Sequence, residues 1–274
     1  MQTFLGLAGM VRILVVRAEQ LTTEVVVRHG LGGVSARLGV EGTLASLLLS
    51  AHIKGDERLF VQVQASEPNF SLMADVNARG DVRARLSPDR ILPHEQIVGM
   101  LLAIKYDGSR EVYRGVAEVR SPGFEGALAS YLDQSQQTWG QVRLLSRFGR
   151  GVAPEIAAAI LVERLPNLLT VEEFEEWMAP LRERSVQQLL DELAEGSFLG
   201  NPTEMLEDRP LRFHCPCGVE RVEHTLLMLG AEDLRALHKE QGQAEVTCNF
   251  CNERYVVPGP RLLSMLKDLE SPPA

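Results

Sequence analysis

What this 274-residue chain lacks narrows the field first. No apolar run approaches the roughly 18 residues that a membrane-spanning helix needs. The opening stretch, residues 1–10, has no basic n-region and leads into Arg12-Ile-Leu-Val-Val16, which reads as a strand. A secretory signal is therefore not expected, and the expected location is cytoplasmic. Bases are outnumbered: 28 Lys and Arg stand against 37 Asp and Glu, a net of −9. A nucleic-acid partner calls for a basic surface, so none is expected. Catalytic signatures are missing too. Gly149-Arg-Gly151 has no phosphate-loop continuation, and Ser135, His94 and Asp133 stand in no triad context. An enzyme is not expected. Cysteine is scarce, with only four in the chain.

What is present reads as globular: 45% hydrophobic and 24% charged residues leave no case for global disorder. Residues 11–16 and 24–28 alternate as two short strands. Residues 34–54 carry Leu38, Leu44, Leu47 and Leu48 at helical spacing. Gly39 and Gly42 interrupt that helix at up to about 1 kcal/mol each relative to Ala, which implies close packing against a neighbour. Strands follow at 58–64, 71–76, 81–86, 99–106 and 111–120, close enough to be antiparallel hairpins. Residues 126–135 read as helix and 142–148 as strand, while the Ala-rich stretch 154–164 reads as a helix or a strand-flanked turn. The expected class is α+β, with residues 1–165 forming an N-terminal antiparallel-sheet domain with helices.

Composition shifts after Leu165-Pro166. From 166 to 210 an acidic helical linker is expected. Thr170-Val-Glu-Glu173 has capping-box spacing, Ser185 opens a second helix, and Pro180 divides the two. Residues 170–210 hold eleven acids and three bases, and that excess of acid accounts for most of the chain's net charge of −9. One apolar stripe runs through it: Phe174, Trp177, Met178 and Leu181, then Val186, Leu189, Leu190 and Leu193. Such short helices are marginal alone and must dock.

The third segment, 211–274, holds all four cysteines, as Cys215-Pro-Cys217 and Cys248-Asn-Phe-Cys251. Two close pairs of soft thiolates on separate turns can occupy the corners of a tetrahedron. In a reducing compartment that pattern reads as a metal site, with one zinc per chain expected and an iron–sulfur cluster as the competitor. His214, His224 and His238 lie nearby but are not needed as ligands. Four sulfurs leave no open position for hydrolytic water. Cys248-Asn-Phe-Cys251 opens no thioredoxin-like βαβ unit, which sets aside a thiol oxidoreductase. Between 211 and 257 five bases face seven acids, so a nucleic-acid zinc ribbon is also set aside. Two readings stay open, a permanent staple and a switch. Zinc-bound thiolates remain nucleophilic toward oxidants. Of the three disulfide connectivities, Cys215–Cys217 with Cys248–Cys251 is the economical one, because those partners are already adjacent. Residue chemistry permits the switch without requiring it.

A resemblance weighs on that choice. Phe213-His-Cys-Pro-Cys-Gly-Val-Glu-Arg-Val-Glu223, Leu229-Gly230, Glu245-Val-Thr-Cys-Asn-Phe-Cys251 and Tyr255 resemble the redox-regulated holdase chaperones of the heat shock protein 33 family. The likeness continues at Val11-Arg-Ile-Leu-Val-Val16, Lys54-Gly-Asp-Glu-Arg-Leu59, Tyr113-Arg-Gly115 and Tyr131-Leu-Asp-Gln-Ser135, so it covers nearly the full chain. Gln136 and Gly218 depart from the family's pattern, and neither is a cysteine. The resemblance implies zinc ligands and redox thiols at Cys215, Cys217, Cys248 and Cys251. It implies that peroxide or hypochlorous acid makes two disulfides and ejects the metal. Linker and zinc module then unfold, and the protein holds unfolding client proteins without ATP, commonly as a homodimer, during oxidative stress. It assigns no client-binding residue. The competing expectation is a zinc-stapled interaction protein that does not switch.

Overall fold

The computed structural model describes residues 1–136, 140–166 and 168–270; the side chain of Gln136 lies outside the described residues. The chain divides into two compact units, Met1–His214 and Cys215–Ala274.

In chain order the first unit begins with β1 (Gln2–Gly6), β2 (Val11–Arg17), α1 (Glu19–Arg28) and α2 (Gly33–Leu49). A meander follows: β3 (Glu57–Glu67), β4 (Asn69–Asn77), β5 (Asp81–Ser87), β6 (Ile97–Asp107) and β7 (Arg110–Ser121). Next come α3 (Phe124–Tyr131), β8 (Gly140–Phe148), β9 (Pro154–Arg164), α4 (Val171–Met178) and α5 (Val186–Ala194). Four short strands finish it: β10 (Ser197–Phe198), β11 (Asn201–Pro202), β12 (Glu204–Asp208) and β13 (Arg212–Phe213). One sheet has the order β12-β1-β2-β9-β8, another β13-β5-β4-β3-β6-β7, and β10 pairs with β11. Pairing is antiparallel except for β13 on β5. The α+β class expected from the sequence holds.

Helices α1, α2 and α3 lie between the two larger sheets and share one core with them. Alternation explains how the five-stranded sheet serves two cores at once. Leu14 and Val16 of β2, with Ala157, Ala159 and Leu161 of β9, face the helices. Ile13 and Val15, with Ala158, Ile160 and Val162, face the opposite way, where α4 and α5 lie. Residues 157–162 are thus buried on both faces, which corrects the helix-or-turn expectation for 154–164: this is a central strand. A second correction concerns residues 24–28, which belong to α1. Leu21, Thr22, Val25 and Val26 are its buried positions, and that helical spacing overrides the β-propensity of three consecutive valines. The interrupting glycines of α2 have the expected reason. A Cβ on Gly42 would lie 2.7 and 2.8 Å from the Leu72 methyls and 2.8 Å from the Phe124 ring, and one on Gly39 would lie 2.8 Å from Leu31.

The acidic stretch docks through its apolar stripe. Phe174, Met178, Leu181, Val186, Leu189, Leu190, Leu193 and Phe198 are all buried on the outer face of the five-stranded sheet. Both helix starts carry full capping boxes, Thr170 with Glu173 and Ser185 with Gln188. A single 3₁₀ turn at Ala179–Glu183, carrying Pro180, separates the helices.

The second unit holds α6 (Val219–Leu227), α7 (Ala231–Gln241), β14 (Gln243–Thr247), β15 (Arg254–Pro258) and α8 (Gly259–Glu270). Its core is small: Val222, Leu226, Leu234, Ala244, Val257, Leu262, Met265 and Leu266. A core of that size gives little independent stability, so a cross-link or metal matters to this unit.

Candidate metal centre

Two turns of the second unit carry the cysteines. Cys215 and Cys217 lie on the segment leading into α6, and Cys248 and Cys251 lie on the turn between β14 and β15. Cys248 N–H donates to the Glu253 carbonyl at 2.9 Å, and Asn252 N–H donates back to the Cys248 carbonyl at 2.9 Å. The turn needs a left-handed residue, and Asn252 supplies it at φ 58°. Asparagine tolerates that conformation better than most residues.

The four sulfurs come together, all within 4.8 Å of one another. Cys215 Sγ lies 3.7 Å from Cys248 Sγ, and Cys217 Sγ lies 3.2 Å from Cys251 Sγ. Tetrahedral zinc with bonds of about 2.3 Å would separate its sulfurs by about 3.8 Å. All four are free thiols, with Cys251 buried and the other three half-buried. A four-sulfur donor set of this size fits a soft or borderline divalent metal and leaves no position for water. None of the three nearby histidines joins the group among the described residues.

The environments of the thiols differ. Burial acts to raise the Cys248 thiol, but N–H groups of Cys251 and Phe250 and hydrogen bonds with the Cys251 and Cys215 thiols bring it down to about 7. Cys251 moves the other way, pushed up first by burial and then by its bonds to Cys217 and Cys248. Sequence reasoning gave Tyr255 no role. Its hydroxyl donates to Cys217 Sγ at 3.0 Å from β15. That contact, with burial adding to it, keeps the phenol protonated. The available signal was a tyrosine four residues after the second cysteine pair, on the return strand.

Comparison with known proteins decides the lineage: the Hsp33 protein family model matches residues 1–258. The chain belongs to the Hsp33 family. Two similar relatives are both named 33 kDa chaperonin. That of Bacillus subtilis (strain 168) is 32% identical over 270 residues, covering 90% of this chain and 91% of the relative. That of Geobacter sp. (strain M21) is 30% identical over 271 residues, covering 91% and 90%. The crystal structure of the 33 kDa chaperonin (heat shock protein 33 homolog) from Thermotoga maritima superposes with a TM-score of 0.83 at 21% identity, covering 97% of this chain and 98% of that one. That likeness establishes the fold. The family is one of chaperones, and these relatives are named as such rather than as enzymes. Among the described residues no helix is long and apolar enough to cross a membrane.

Proposed function

We propose that this chain is an ATP-independent holdase, kept inactive by a reduced zinc centre and activated when oxidants convert its four thiols to two disulfides. The observation that carries the reading is four free sulfurs within 4.8 Å in a unit whose own core is only a few side chains. Cys215, Cys217, Cys248 and Cys251 hold one zinc ion, which supplies thiolate stabilisation and cross-links two turns. Structural zinc contributes on the order of 10–16 kcal/mol in small peptide sites, and that binding energy is folding energy.

Oxidation removes the ligands. A thiolate attacks peroxide, forming an S–O bond as the O–O bond breaks and water leaves. A second thiol then displaces that oxygen as another water, so each disulfide consumes one peroxide and two thiol protons. Cys215–Cys217 and Cys248–Cys251 are the proposed bridges. The shortest sulfur approaches run across the pairs, but those partners are 33 and 34 positions apart in sequence. Once the unit loosens, only partners two or three residues apart stay close. β13 ends at Phe213, two residues before Cys215, so loosening reaches the end of the linker through the chain itself.

In functional terms we divide the chain into a core at 1–165, a linker at 166–210 and a redox module from 211 onward. Release of the linker uncovers the apolar face occupied by Phe174, Leu189 and Leu190, and unfolding clients bind in its place. The protein acts in the cytoplasm as part of the oxidative stress response, as a homodimer when active, without nucleic acid, membrane or catalysis. Zinc release measured against thiol loss during peroxide treatment, with suppression of a heat-unfolding enzyme's aggregation read in parallel, tests this. The reduced chain should carry zinc and suppress poorly, and the oxidised chain should have lost zinc and suppress well. Equal suppression by both forms would leave a non-switching zinc-stapled interaction protein.

A further inference from the structure

The zinc centre makes no use of the four N-terminal stretches singled out in the sequence. Each of them contributes a side chain to one cleft of about 760 Å³ in the first unit: Arg12, Glu57 with Leu59, Tyr113 and Ser135. His52, Lys105, Asp107 and Arg110 complete the polar lining. The volume is in the range that small-molecule sites occupy.

The cleft's hydrogen-bonding capacity is lopsided. Glu163 lies behind it, 1% exposed, on the strand position opposite Arg12. One of its carboxylate oxygens accepts from Arg12 Nε at 2.8 Å, and the other lies 3.1 Å from His52 Nε2. Glu57 is equally occupied, with one oxygen 3.0 Å from Lys105 Nζ and the other accepting from Lys54 N–H at 2.9 Å. Every carboxylate oxygen of both acids therefore already has a partner inside the protein, whereas several donor N–H groups of the lining do not. Arg110 has no side-chain partner among the described residues, and Lys105 and Arg12 keep N–H groups beyond those they use. Asp107 is the one lining acid whose side chain has no partner among the described residues, and it stands opposite Arg110 in the β6–β7 pairing.

The hydroxyl side of the cleft is built with equal care. Tyr113 Oη lies 3.2 Å from Tyr131 Oη and 3.1 Å from Ser135 Oγ. A Cβ on Gly115 would sit 2.4 Å from all three hydroxyl oxygens, so the cluster needs glycine there. Tyr131 is fully buried, which fixes the position that Tyr113 presents to the cleft. An ion-pair pin between β2 and β9 would account for Arg12 and Glu163 alone. It accounts for neither the unspent donors nor the hydroxyl cluster on the other wall.

We propose that this cleft binds a small organic anion bearing a carboxylate or phosphate group, recognised by Arg110, Lys105 and Arg12 on one side and by the Tyr113 and Ser135 hydroxyls on the other. The site is independent of the redox reading and exists in the reduced chain.

An amide NMR titration of the full-length reduced, zinc-loaded protein tests it, with inorganic phosphate and malonate added separately against sodium chloride at matched ionic strength. Saturable shifts are expected at Tyr113, Ser135 and Leu59 with at least one of the two anions, and which anion works assigns the group. Arg110→Gln should weaken that binding about tenfold, since a charge-assisted contact is lost, while zinc content stays unchanged. Tyr113→Phe should weaken it too. No saturable shift beyond chloride at these positions, or unchanged affinity in Arg110→Gln, overturns the proposal. Neither outcome bears on zinc release by peroxide, so the two readings fail separately.

Discussion

Tyr255→Phe isolates a single interaction at the sulfur cluster. The phenol donates to Cys217 Sγ at 3.0 Å, while its ring packs against the small core of the second unit. Phenylalanine keeps the ring and removes the donor, so packing is preserved and only the sulfur loses a partner. Groups that hydrogen-bond metal ligands typically change metal affinity 10–100-fold when removed. Tyr255 is half-buried, and water can replace part of what is lost. The lower end applies, about tenfold or ~1.4 kcal/mol. The same bond draws electron density from the sulfur, so its removal should make Cys217 a faster nucleophile toward peroxide. Zinc affinity is read by competition with a chromophoric chelator. Peroxide-driven modification is read cysteine by cysteine with mass spectrometry. The expected pattern is about tenfold weaker zinc and selectively faster loss of Cys217, with the first unit's unfolding unchanged. Unchanged affinity together with unchanged Cys217 kinetics would refute the role assigned to this bond.

Other perturbations address the rest of the molecule. Leu189 of α5 is 0% exposed against the five-stranded sheet, so Leu189→Ala should weaken docking by about 2–5 kcal/mol. The reduced variant should then bind a hydrophobic dye that the parent excludes; no gain in dye signal would count against docking through this stripe. Gly42→Ala should lower the urea midpoint despite alanine's better helix propensity, because overpacking costs about 1–3 kcal/mol. A raised midpoint would show that Leu72 and Phe124 can move aside. Burial acts to raise the Glu163 carboxyl, but His52 and Arg12 more than offset it and hold it below the ordinary value. A carboxyl depressed in the folded state stabilises above its unfolded pKa, and that contribution is lost as pH falls through the folded value. Thermal midpoints should therefore drop as pH is lowered below about 4.5, and Glu163→Gln should flatten that part of the profile.

Much of this was legible in the residues, for local reasons. Capping boxes at Thr170 and Ser185 are written within four positions of sequence, and both form as read. The cysteine cluster was visible because few other arrangements suit two thiol pairs on turns. The misreadings share a non-local cause. Residues 154–164 are apolar without alternation because the strand is covered on both faces, and their three alanines then mimic a helix. The valines of α1 look like a strand until the core that takes Leu21, Val25 and Val26 is known. β12 was invisible for another reason. All five of its residues are exposed and its strand character comes from pairing with β1, some two hundred positions earlier in the chain. Likewise the cleft between Arg12, Tyr113 and Ser135 is made by stretches that no local pattern connects.

The pairing of β12 determines what the proposed release of the linker would expose. β1 bonds β2 on one side and Glu204–Asp208 on the other, so it is an interior strand only while the end of the linker stays in place. Were that segment to lift, β1 would become a border, with a row of backbone N–H and C=O groups facing outward. Such a border pairs with any extended chain, whatever its side chains. An unfolding protein offers extended chain above all else, so the surface set free would recognise the state of a polypeptide rather than its sequence.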